Sequence, residues 1–341
     1  MKLYGGIDLH SNNSVIHIID DKGNSQFKKK VSNDLVTIVM LLKPFLDNLT
    51  GLVVESTYNW YWLVDGLMDA GFKVHLANTA AIQQYSGLKH GDDDSDANWL
   101  ANMLRLSILP TGYIYPKAAR MQRDLLRKRM QLVQQKTQNM LSIQGMYDRH
   151  LNRRLNSNKL KQLTLGELEN DFDDPNVRLA IGGNLTVQDC LTKQINTIEA
   201  SLKQQLKLTP EFIQLTSIDG IGLILALTIM LETGDINRFD RVGQYASYCR
   251  CVSGARYSNG KKKGSTNTRN GNKYLAWAFI EAANFAIRYN DTIKRYYQKK
   301  LSKTKVVIAR KTVAHKLARA CFYVLRDQVE FDVNKAFGYS K

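Results

Sequence analysis

The first 112 residues alternate short apolar runs with longer segments of helical periodicity, and this alternation restricts the amino-terminal part of the chain to a mixed α/β fold. Strands are predicted where apolar runs are short, and helices where apolar residues recur every three to four positions. The predicted strands are residues 2–9, 15–19, 51–55 and 73–77, and the predicted helices are residues 35–49, 60–70 and 93–106. This order predicts a central, partly parallel sheet that opens with a β-hairpin or meander.

The middle of the chain has the pattern of long helices. Residues 117–158 and 187–206 each carry one apolar face, and Pro175 and the pair Gly182-Gly183 lie between them. Two such helices predict an antiparallel hairpin or coiled-coil arm, and the alternative is that they cover a globular core.

The last part of the chain predicts a separate, mainly helical domain, with helices over residues 275–290 and 306–324. Residues 218–222, IDGIG, resemble the hairpin of a helix–hairpin–helix module, whose glycines let a phosphate approach the backbone; a plain turn is the alternative. The predicted domains are residues 1–115, 116–206 and 207–341, giving an α/β fold followed by helical parts.

The charge of the chain is unevenly distributed. The chain has 48 Lys+Arg against 31 Asp+Glu, a net charge of +17, and residues 241–341 hold 22 of the basic and 5 of the acidic residues. The first 240 residues hold 26 of each and are neutral overall. A basic end interleaved with Tyr and Trp favours nucleic acid as the partner over a merely solubilising surface.

Composition excludes several other classes. Four cysteines are too few for a disulfide scaffold and lack the spacing of a zinc site. The start, MKLYGGIDLH, has the pattern of a strand and not of a signal peptide, and the longest apolar run, residues 221–231, is too short to span a membrane. We expect a reduced, soluble, cytoplasmic protein that associates with the nucleoid when it binds DNA.

Four acidic residues of the first domain form the strongest candidate site. Asp8 lies within a strand, Glu55 ends a later strand, and Asp93 and Asp96 share one face at the start of a helix. Ribonuclease-H-type folds assemble a metal site in this way, and oxygen-only ligands favour Mg²⁺ or Mn²⁺. The alternatives are an edge-strand Asp8 and helix capping by the acidic run. His10 lies on the same side as Asp8, either as a supporting group or as a structural histidine.

A glycine- and lysine-rich segment, residues 253–274, offers a second kind of chemistry. A nucleophilic serine needs cations to stabilise a pentacovalent phosphate, and a loop that only grips phosphate is the alternative. The candidate serines are Ser253, Ser258 and Ser265, and the surrounding cations are Arg256, Lys261, Lys262, Lys263 and Arg269.

Five segments of the chain resemble the DEDD transposases of insertion sequences, the group described as bridge-RNA-guided serine recombinases. The segments are GGIDLHSNNSVIHIIDDKG, GLVVESTYNWYWLVDGLMDAGFKVHLANT, KHGDDDSDANWLANML, LTSIDGIGLILALTIMLETGDINRF and GARYSNGKKKGSTNTRNGNKYLAWAFIEAA. Together they extend over nearly the whole chain, and their combination is specific where no single segment is.

The resemblance implies a Holliday-junction-resolvase-like (RuvC-like) first domain with Asp8, Glu55, Asp93 and Asp96 as catalytic carboxylates. Asp92 and Asp94 leave the register of the third open. Ser258 stands at the position of the nucleophile, although Asn259 replaces the glycine that usually follows it, and Ser253 and Ser265 are the fallbacks. The basic excess of the last third of the chain, and not the resemblance, predicts the nucleic-acid-binding residues, which are Arg256, Lys261, Lys262, Lys263, Arg269, Lys273, Lys299 and Lys300.

The resemblance also implies an activity and its partners. The activity is Mg²⁺-dependent recombination of double-stranded DNA through a covalent phosphoserine intermediate, with donor and target DNA chosen by a structured noncoding RNA. A coiled-coil arm would serve a homo-oligomer, a dimer or a tetramer, with active sites shared between protomers. The competing predictions are a hydrolytic ribonuclease-H-type nuclease or junction resolvase, and a non-enzymatic nucleic-acid-binding scaffold.

Overall fold

A computed structural model describes residues 1–82, 93–206, 209–252, 254–265 and 270–338. It leaves out the side chains of residues 80, 93–95, 255–257, 262 and 265. The chain divides into two compact units, Met1–Lys117 and Ala118–Lys341. The three-domain division remains a prediction.

The first unit is built on a six-stranded sheet with the strand order β3-β2-β1-β4-β5-β6. β1 pairs antiparallel with β2 and parallel with β4, β5 continues the parallel part, and β6 closes the edge antiparallel to β5. The strands are β1 (Leu3–Leu9), β2 (Asn13–Asp20), β3 (Ser25–Ser32), β4 (Leu49–Glu55), β5 (Val74–Ala77) and β6 (Thr111–Gly112). The helices are α1 (Leu35–Leu42), α2 (Tyr61–Asp69), α3 (Thr79–Ile82) and α4 (Asp93–Arg105). This is the ribonuclease-H-like, RuvC-like α/β fold that the sequence predicts.

Helices cover both faces of this sheet. Ile7 and Val54 point to the side of α1 and α2, where they join a core with Ile38 and Leu63. Alternate residues point to the other side, where Val53 packs with Leu100 of α4 and its neighbours. Because side chains alternate along a strand, this partition also assigns a face to every polar residue of β1 and β4.

Two predictions for the first unit were incomplete. The helix predicted over residues 35–49 ends at Leu42, and a 3₁₀ segment, Lys43–Asn48, follows it. Pro44 accounts for the break, since proline cannot continue an α-helix beyond its first turn. The second omission is β3, whose sequence SQFKKKVS is mostly exposed; charged edge strands of this kind lack a strong apolar pattern.

The second unit begins with two long helices that run antiparallel. The helices here are α5 (Lys117–Leu151), α6 (Ser157–Gln162), α7 (Leu165–Asp171) and α8 (Pro175–Leu206). Arg129 of α5 contacts Glu199 of α8 at 2.6 Å, and Asn184 of α8 donates to Ser142 of α5. The end of the pair away from the chain's basic domain has its own small core, in which Tyr147 is fully buried.

Pro175, Gly182 and Gly183, which were predicted to lie between the two helices, all belong to α8. Pro175 is its first residue, a position where the missing N–H leaves no partner unsatisfied. Gly183 lies inside the helix with open space around its Cβ position. Helical glycine pairs are therefore compatible with a long helix when packing supplies the rest of its stability.

The remaining elements surround a second, larger core. They are α9 (Pro210–Thr216), α10 (Leu223–Thr233), α11 (Val242–Tyr248), β7 (Ala255–Ser258), β8 (Lys261–Ser265), α12 (Lys273–Tyr289), α13 (Asp291–Leu301), α14 (Val306–Asp327) and α15 (Val333–Phe337). Leu126 of α5 and Leu202 of α8 belong to this core, so the roots of the two long helices are packed into it. In the described parts of the chain, no helix is long and apolar enough to cross a membrane.

The IDGIG turn joins α9 to α10 and makes a close helix contact. Gly220 has φ +92°, and a Cβ there would lie 2.5 Å from the carbonyl oxygen of Ala282 and from the amide nitrogen of Ala286 on α12. Gly220 thus permits this turn to pack against α12. Gly222 precedes α10 with nothing within 4 Å of its Cβ position.

Candidate functional site

Asp8 is a carboxylate buried in the centre of the sheet. Its residue is 2% exposed, and it follows Ile7 near the carboxyl end of β1. Its Oδ2 atom is shielded from solvent and accepts no hydrogen bond from the described residues. A buried carboxylate oxygen in this state is costly, so its environment calls for a positive charge.

The strand register brings Glu55 beside Asp8. β1 and β4 are parallel, and Ile7 pairs with Val54, so Asp8 and Glu55 are the next residues along the two strands. Val53 faces α4, and Glu55, two residues further on, faces the same way. Glu55 is half-buried.

The helix α4 lies directly over these strands. A Cβ at Gly6 would lie 2.0 Å from the carbonyl oxygen of Ala97, so α4 approaches β1 as closely as its backbone allows. Gly6 and Asp8 share a face, and Ala97 is preceded by Asp96. Asp96 is half-buried, with its Oδ1 atom shielded from solvent.

The direction of α4 places its acidic first turn at the end of the sheet that carries Asp8 and Glu55. Ala97 crosses Gly6, which is level with Val53 in the sheet, and Leu104 lies near Gly51, which is two residues earlier in β4. The amino-terminal turn of α4 therefore lies toward the carboxyl ends of β1 and β4, where Asp8 and Glu55 are. Asp93 is the first residue of α4, one turn before Ala97. Its side chain and that of Asp94 are not described, and Asp92 lies outside the described residues.

His10 supports the Asp8 carboxylate from the turn after β1. Its Nε2 atom lies 3.3 Å from Asp8 Oδ2. The His10 carbonyl accepts hydrogen bonds from the side chains of Asn33 at 3.0 Å and Asn59 at 3.1 Å. Asn59 belongs to the loop that follows Glu55, so this hydrogen bond ties the two carboxylate-bearing strand ends together.

These residues fit a divalent cation in donor chemistry and in electrostatics. The carboxylates of Asp8, Glu55 and Asp96 offer the oxygen donors that Mg²⁺ or Mn²⁺ prefers, and the buried Asp8 Oδ2 has the 3.3 Å contact to His10 Nε2 as its charged neighbour. Among the described side chains, no group of three or more His, Cys, Asp or Glu is close enough to hold a metal ion. Like-charged carboxylates repel one another when no cation lies between them.

The serine-bearing segment belongs to the second unit and forms a β-hairpin, where the sequence analysis saw only a polar loop. β7 and β8 pair antiparallel, with Ser258 opposite Lys261. The two turn residues, Asn259 and Gly260, have φ values of +50° and +72°. Positive φ at both central positions is the signature of a type I′ turn, for which Asn-Gly is the preferred sequence.

The hairpin displays one candidate nucleophile at its tip. Ser258 is exposed, directly before the turn. Ser265 is the last residue of β8, and its side chain is not described. Ser253 lies outside the described residues.

The predicted nucleic-acid-binding residues fall in two groups. Lys261 and Lys263 are exposed on β8, and the side chains of Arg256 on β7 and Lys262 on β8 are not described. Lys273 starts α12 and is exposed; Lys299 and Lys300 are exposed in the last turn of α13. Arg269 lies outside the described residues.

A buried polar network holds the carboxyl-terminal base of the serine segment. Asn272 caps α12 and donates from Nδ2 to Glu232 Oε2 at 2.7 Å. Glu232 is 1% exposed and accepts two hydrogen bonds from Arg127 of α5, at 2.6 and 2.7 Å. This carboxylate raises the pKa of Arg127, against the desolvation that lowers it. Arg250, with φ +55°, donates to the Gly271 carbonyl at 2.8 Å.

This network could not be predicted from the sequence. Its only sequence signal is an acidic residue, Glu232, inside the apolar run LILALTIMLETG. A charge within such a run predicts a buried ion pair, but the partner lies 105 positions away along the chain.

Two family comparisons match the chain. A transposase model of the DEDD, IS110 type matches residues 5–151, and a model described as Transposase IS116/IS110/IS902 family matches residues 214–298. The first match contains the four acidic candidates, and the second contains Ser258 and its lysines. Comparison with curated proteins found no match.

The fold and the two family matches identify the class of protein as a DEDD-type transposase, in which a ribonuclease-H-like domain precedes a helical transposase domain. The chain belongs to the IS110 family of transposases. It is a DNA transposase, an enzyme of DNA transposition and recombination whose substrate is DNA. Its DEDD-type domain indicates dependence on a divalent metal ion.

Proposed function

We propose that this transposase cuts and rejoins double-stranded DNA through a covalent phosphoserine intermediate, with Ser258 as the nucleophile and Asp8, Glu55, Asp93 and Asp96 as the metal-dependent site. The observation that carries the proposal is the contrast between the two candidate sites. Asp8 and Glu55 share one face and one end of the sheet, and α4 carries Asp96 over that face, whereas Ser258 is exposed at a hairpin tip opposite Lys261.

The carboxylates would hold Mg²⁺ or Mn²⁺. The donor set is oxygen only, which favours these ions over Zn²⁺. When bound, such an ion stabilises negative charge on phosphate oxygens. The protein's own contribution is orientation: strand register fixes Asp8 beside Glu55, and His10 contacts Asp8.

The serine step exchanges one phosphodiester bond for another. Ser258 Oγ forms a bond to phosphorus, and the bond between phosphorus and one bridging deoxyribose oxygen breaks. The serine proton passes to solvent or to a base, and the leaving oxygen takes up a proton. Attack by a deoxyribose hydroxyl of the new strand partner reverses these changes and releases the serine.

The lysines of the second unit would bind phosphate. Lys261 and Lys263 flank the hairpin tip, and Lys273, Lys299 and Lys300 are exposed on helices. Each phosphate contact on duplex DNA contributes a slope of roughly 0.9 to log affinity against log salt. Replacing Lys299 and Lys300 by Gln is expected to lower this slope by about two, and an unchanged slope in a salt titration would remove them from the interface.

The proposal includes a structured noncoding RNA that pairs with donor and target DNA. Support comes from the family resemblance and from the basic excess of residues 241–341. Copurified RNA, sequenced after nuclease treatment, tests this part. The work of the enzyme would then take place in the cytoplasm, on nucleoid DNA.

The proposal also includes self-association through the long helices. Leu141 of α5 and Leu179 and Val187 of α8 are 65%, 77% and 48% exposed. Apolar side chains on a polar helix pair favour a partner surface, and a second copy of the arm is such a surface. The proposed oligomer, a dimer or a tetramer, would let the carboxylates of one protomer serve the serine of another.

Trapping of a protein–DNA adduct tests the nucleophile. Wild-type protein with guide RNA and labelled DNA should give an adduct that survives denaturation, and Ser258→Ala should give none. Binding should stay near wild type, because one hydroxyl contributes little to a lysine-dominated contact. Ser302→Ala, which changes another exposed serine, is the matched control and should keep the adduct.

Two outcomes would change the assignment. A wild-type adduct level from Ser258→Ala would move the nucleophile to Ser253 or Ser265. Cleavage without an adduct from any serine would favour the hydrolytic nuclease or junction resolvase. Restored activity on mixing Ser258→Ala with Asp8→Ala protein would support active sites shared between protomers.

A further inference from the structure

A cleft of about 640 Å³ lies between α5 and α12 in the second unit. Neither metal chemistry nor the serine step uses it. Lys128, Gln131 and Gln134 line it from α5, and Lys273, Tyr274 and Trp277 line it from α12. All six side chains belong to the same compact unit, so the cleft is complete within it.

The positive charge available in the cleft comes from its lysines; the one acidic residue of its described lining, Asp124, lies 3.9 Å from the guanidinium of Arg123. The two arginines of its wall are committed within the protein: Arg127 pairs with Glu232, and Arg129 pairs with Glu199. Lys128 and Lys273 are exposed, and neither forms an ion pair among the described residues. Two exposed ammonium groups on opposite walls suit a phosphate chain that passes between them.

The aromatic side chains of α12 provide stacking surfaces. Tyr274 and Trp277 are half-buried, and Trp277 packs against the core of the helical domain. The guanidinium of Arg127 lies 4.5 Å from the centre of the Tyr274 ring, which fixes that ring by a cation–π contact. Lys273 Nζ also lies 5.2 Å from the centre of the Tyr274 ring, so this ring is engaged by two cations, and the half-exposed indole of Trp277 is the surface on which a base can stack.

The glutamines complete the chemistry of nucleotide recognition. Gln131 and Gln134 are exposed on α5, and each amide offers both donors and an acceptor. Lys128 donates to Gln131 at 3.0 Å, which orients that amide. Amides that face aromatic rings across a cleft can hydrogen-bond to the edges of bases that stack on those rings.

We propose that this cleft binds a short unpaired stretch of nucleic acid, with a base stacked on Trp277 and phosphates at Lys128 and Lys273. Bases inside a duplex cannot present their faces to an indole, so the chemistry selects single strands. Asn272 caps α12 directly before Lys273, and the same Asn272 closes the serine segment. A strand bound in the cleft would therefore lie beside the base of that segment.

The proposal deepens the proposed function, since it rests on nucleic acid being the partner, but it does not depend on Ser258. The test therefore uses full-length Ser258→Ala protein without divalent metal, so that strand chemistry cannot affect the result. The probes are eight-nucleotide single-stranded RNA and DNA of the same sequence, and a matched DNA duplex. If the trapping experiment shows that Ser258 forms no adduct with DNA, the result of this binding test is unaffected.

Tryptophan fluorescence reads the stacking directly. Trp277 is the only tryptophan in residues 118–341; the others are Trp60, Trp62 and Trp99. Single strands should quench the emission, and Trp277→Phe should abolish the quenching while affinity changes by about twofold or less. Trp62→Phe, the control, should quench like the parent.

Affinity measurements give the second readout. Trp277→Ala should weaken single-strand binding roughly five- to a hundredfold, the loss of one stacked base. Lys128→Gln with Lys273→Gln should lower the salt slope by about 1.4. Lys193→Gln, which changes an exposed lysine of α8, should leave both the affinity and the salt slope unchanged.

Quenching that persists in Trp277→Phe would overturn the proposal, as would equal binding of duplex and single strand with no effect of the lysine pair. If Trp277→Ala fails to fold, Trp277→Phe and the lysine variants still decide. Tighter binding of the RNA strand would identify an RNA loop as the occupant, and tighter binding of the DNA strand would identify melted DNA.

Discussion

The carboxylate site and the serine hairpin are positioned by different means. Asp8 is set by strand register, by the close crossing of α4 over Gly6, and by the His10 turn that Asn33 and Asn59 hold. Ser258 lies at the exposed tip of two short strands, and the contacts described for its segment are concentrated at the base. A buried sheet site is fixed in advance, whereas a tip held from its base can be presented to a large substrate.

The largest effect expected from this comparison is the loss of activity in Asp8→Asn. The change keeps the shape of the side chain and removes its charge, so strand exchange should fall on the order of a hundred- to a thousandfold. Stability should stay the same or rise, because a buried charge among carboxylates is removed. Strand exchange is measured with labelled DNA, and thermal unfolding is measured in parallel. Asp69→Asn, an exposed change at the end of α2, should be neutral; activity retained by Asp8→Asn would contradict the site.

Substitution of one glycine in each region tests whether the carboxylate site is more rigid than the serine hairpin. Gly6→Val would place a Cβ 2.0 Å from the Ala97 carbonyl oxygen, and neither backbone can yield locally. We expect about 3 kcal/mol of lost unfolding free energy, at the upper end of overpacking costs. Gly260→Ala meets open space and carries only the cost of φ +72°, about 1 kcal/mol. Denaturant titration of both variants tests this, and equal losses would mean that the two sites are equally rigid.

The Arg127–Glu232 pair tests how firmly the hairpin base is held. Arg127→Met leaves the Glu232 carboxylate buried without its cation, which should cost roughly 3 kcal/mol. This is the low end for a buried pair, since the Arg127 side chain is 31% exposed. Adding Glu232→Met should restore most of the loss, because apolar residues of similar size replace buried pairs well. A double variant no more stable than Arg127→Met would assign the loss to packing instead.

The smallest expected effect is a gain of stability in the long helices. Gly183→Ala adds a methyl group to open space inside α8 and should stabilise the protein by about 0.5–1 kcal/mol. Gly182→Ala is the matched control, because its Cβ would lie 3.2 Å from Leu165 Cδ2 and should offset part of the gain. If a denaturant titration shows equal gains in unfolding free energy for the two variants, then the Leu165 side chain of α7 moves away from the new methyl group without loss of stability.

Much of the fold could be predicted because local patterns carried it. The predicted strands and helices of the first unit, the start of α4 at Asp93 and the presence of two long helices follow from apolar periodicity. Periodicity did not predict β3, α3 or β6, and it placed the start of α8 at residue 187 where the structure has Pro175. The hairpin at Ser258 was missed although its Asn259-Gly260 turn is a strong local signal. The end of helix α1 before Pro44 could also have been predicted from the proline, but the predicted helix continued to residue 49.

The candidate residues divide in the same way. Asp8, Glu55 and Asp96 could be named from their positions on predicted elements, and the resemblance to a family added their order. Asn33, Asn59 and Arg127 could not be named, because each acts on a residue distant in sequence. The periodicity of a sequence gives no information about hydrogen bonds between residues that are far apart in the chain and are brought together only by folding.

The sequence by itself determined the element types, the basic carboxyl-terminal third and the acidic residues at strand ends and at a helix start. These follow from side-chain chemistry and from spacing along the chain. Only the tertiary structure decided that Gly6 admits α4, that Val53 and Glu55 face it together, and that Glu232 joins Arg127 to Asn272. The reason is physical: spacing assigns a residue to one side of its own element, but which element covers that side depends on how the whole chain packs.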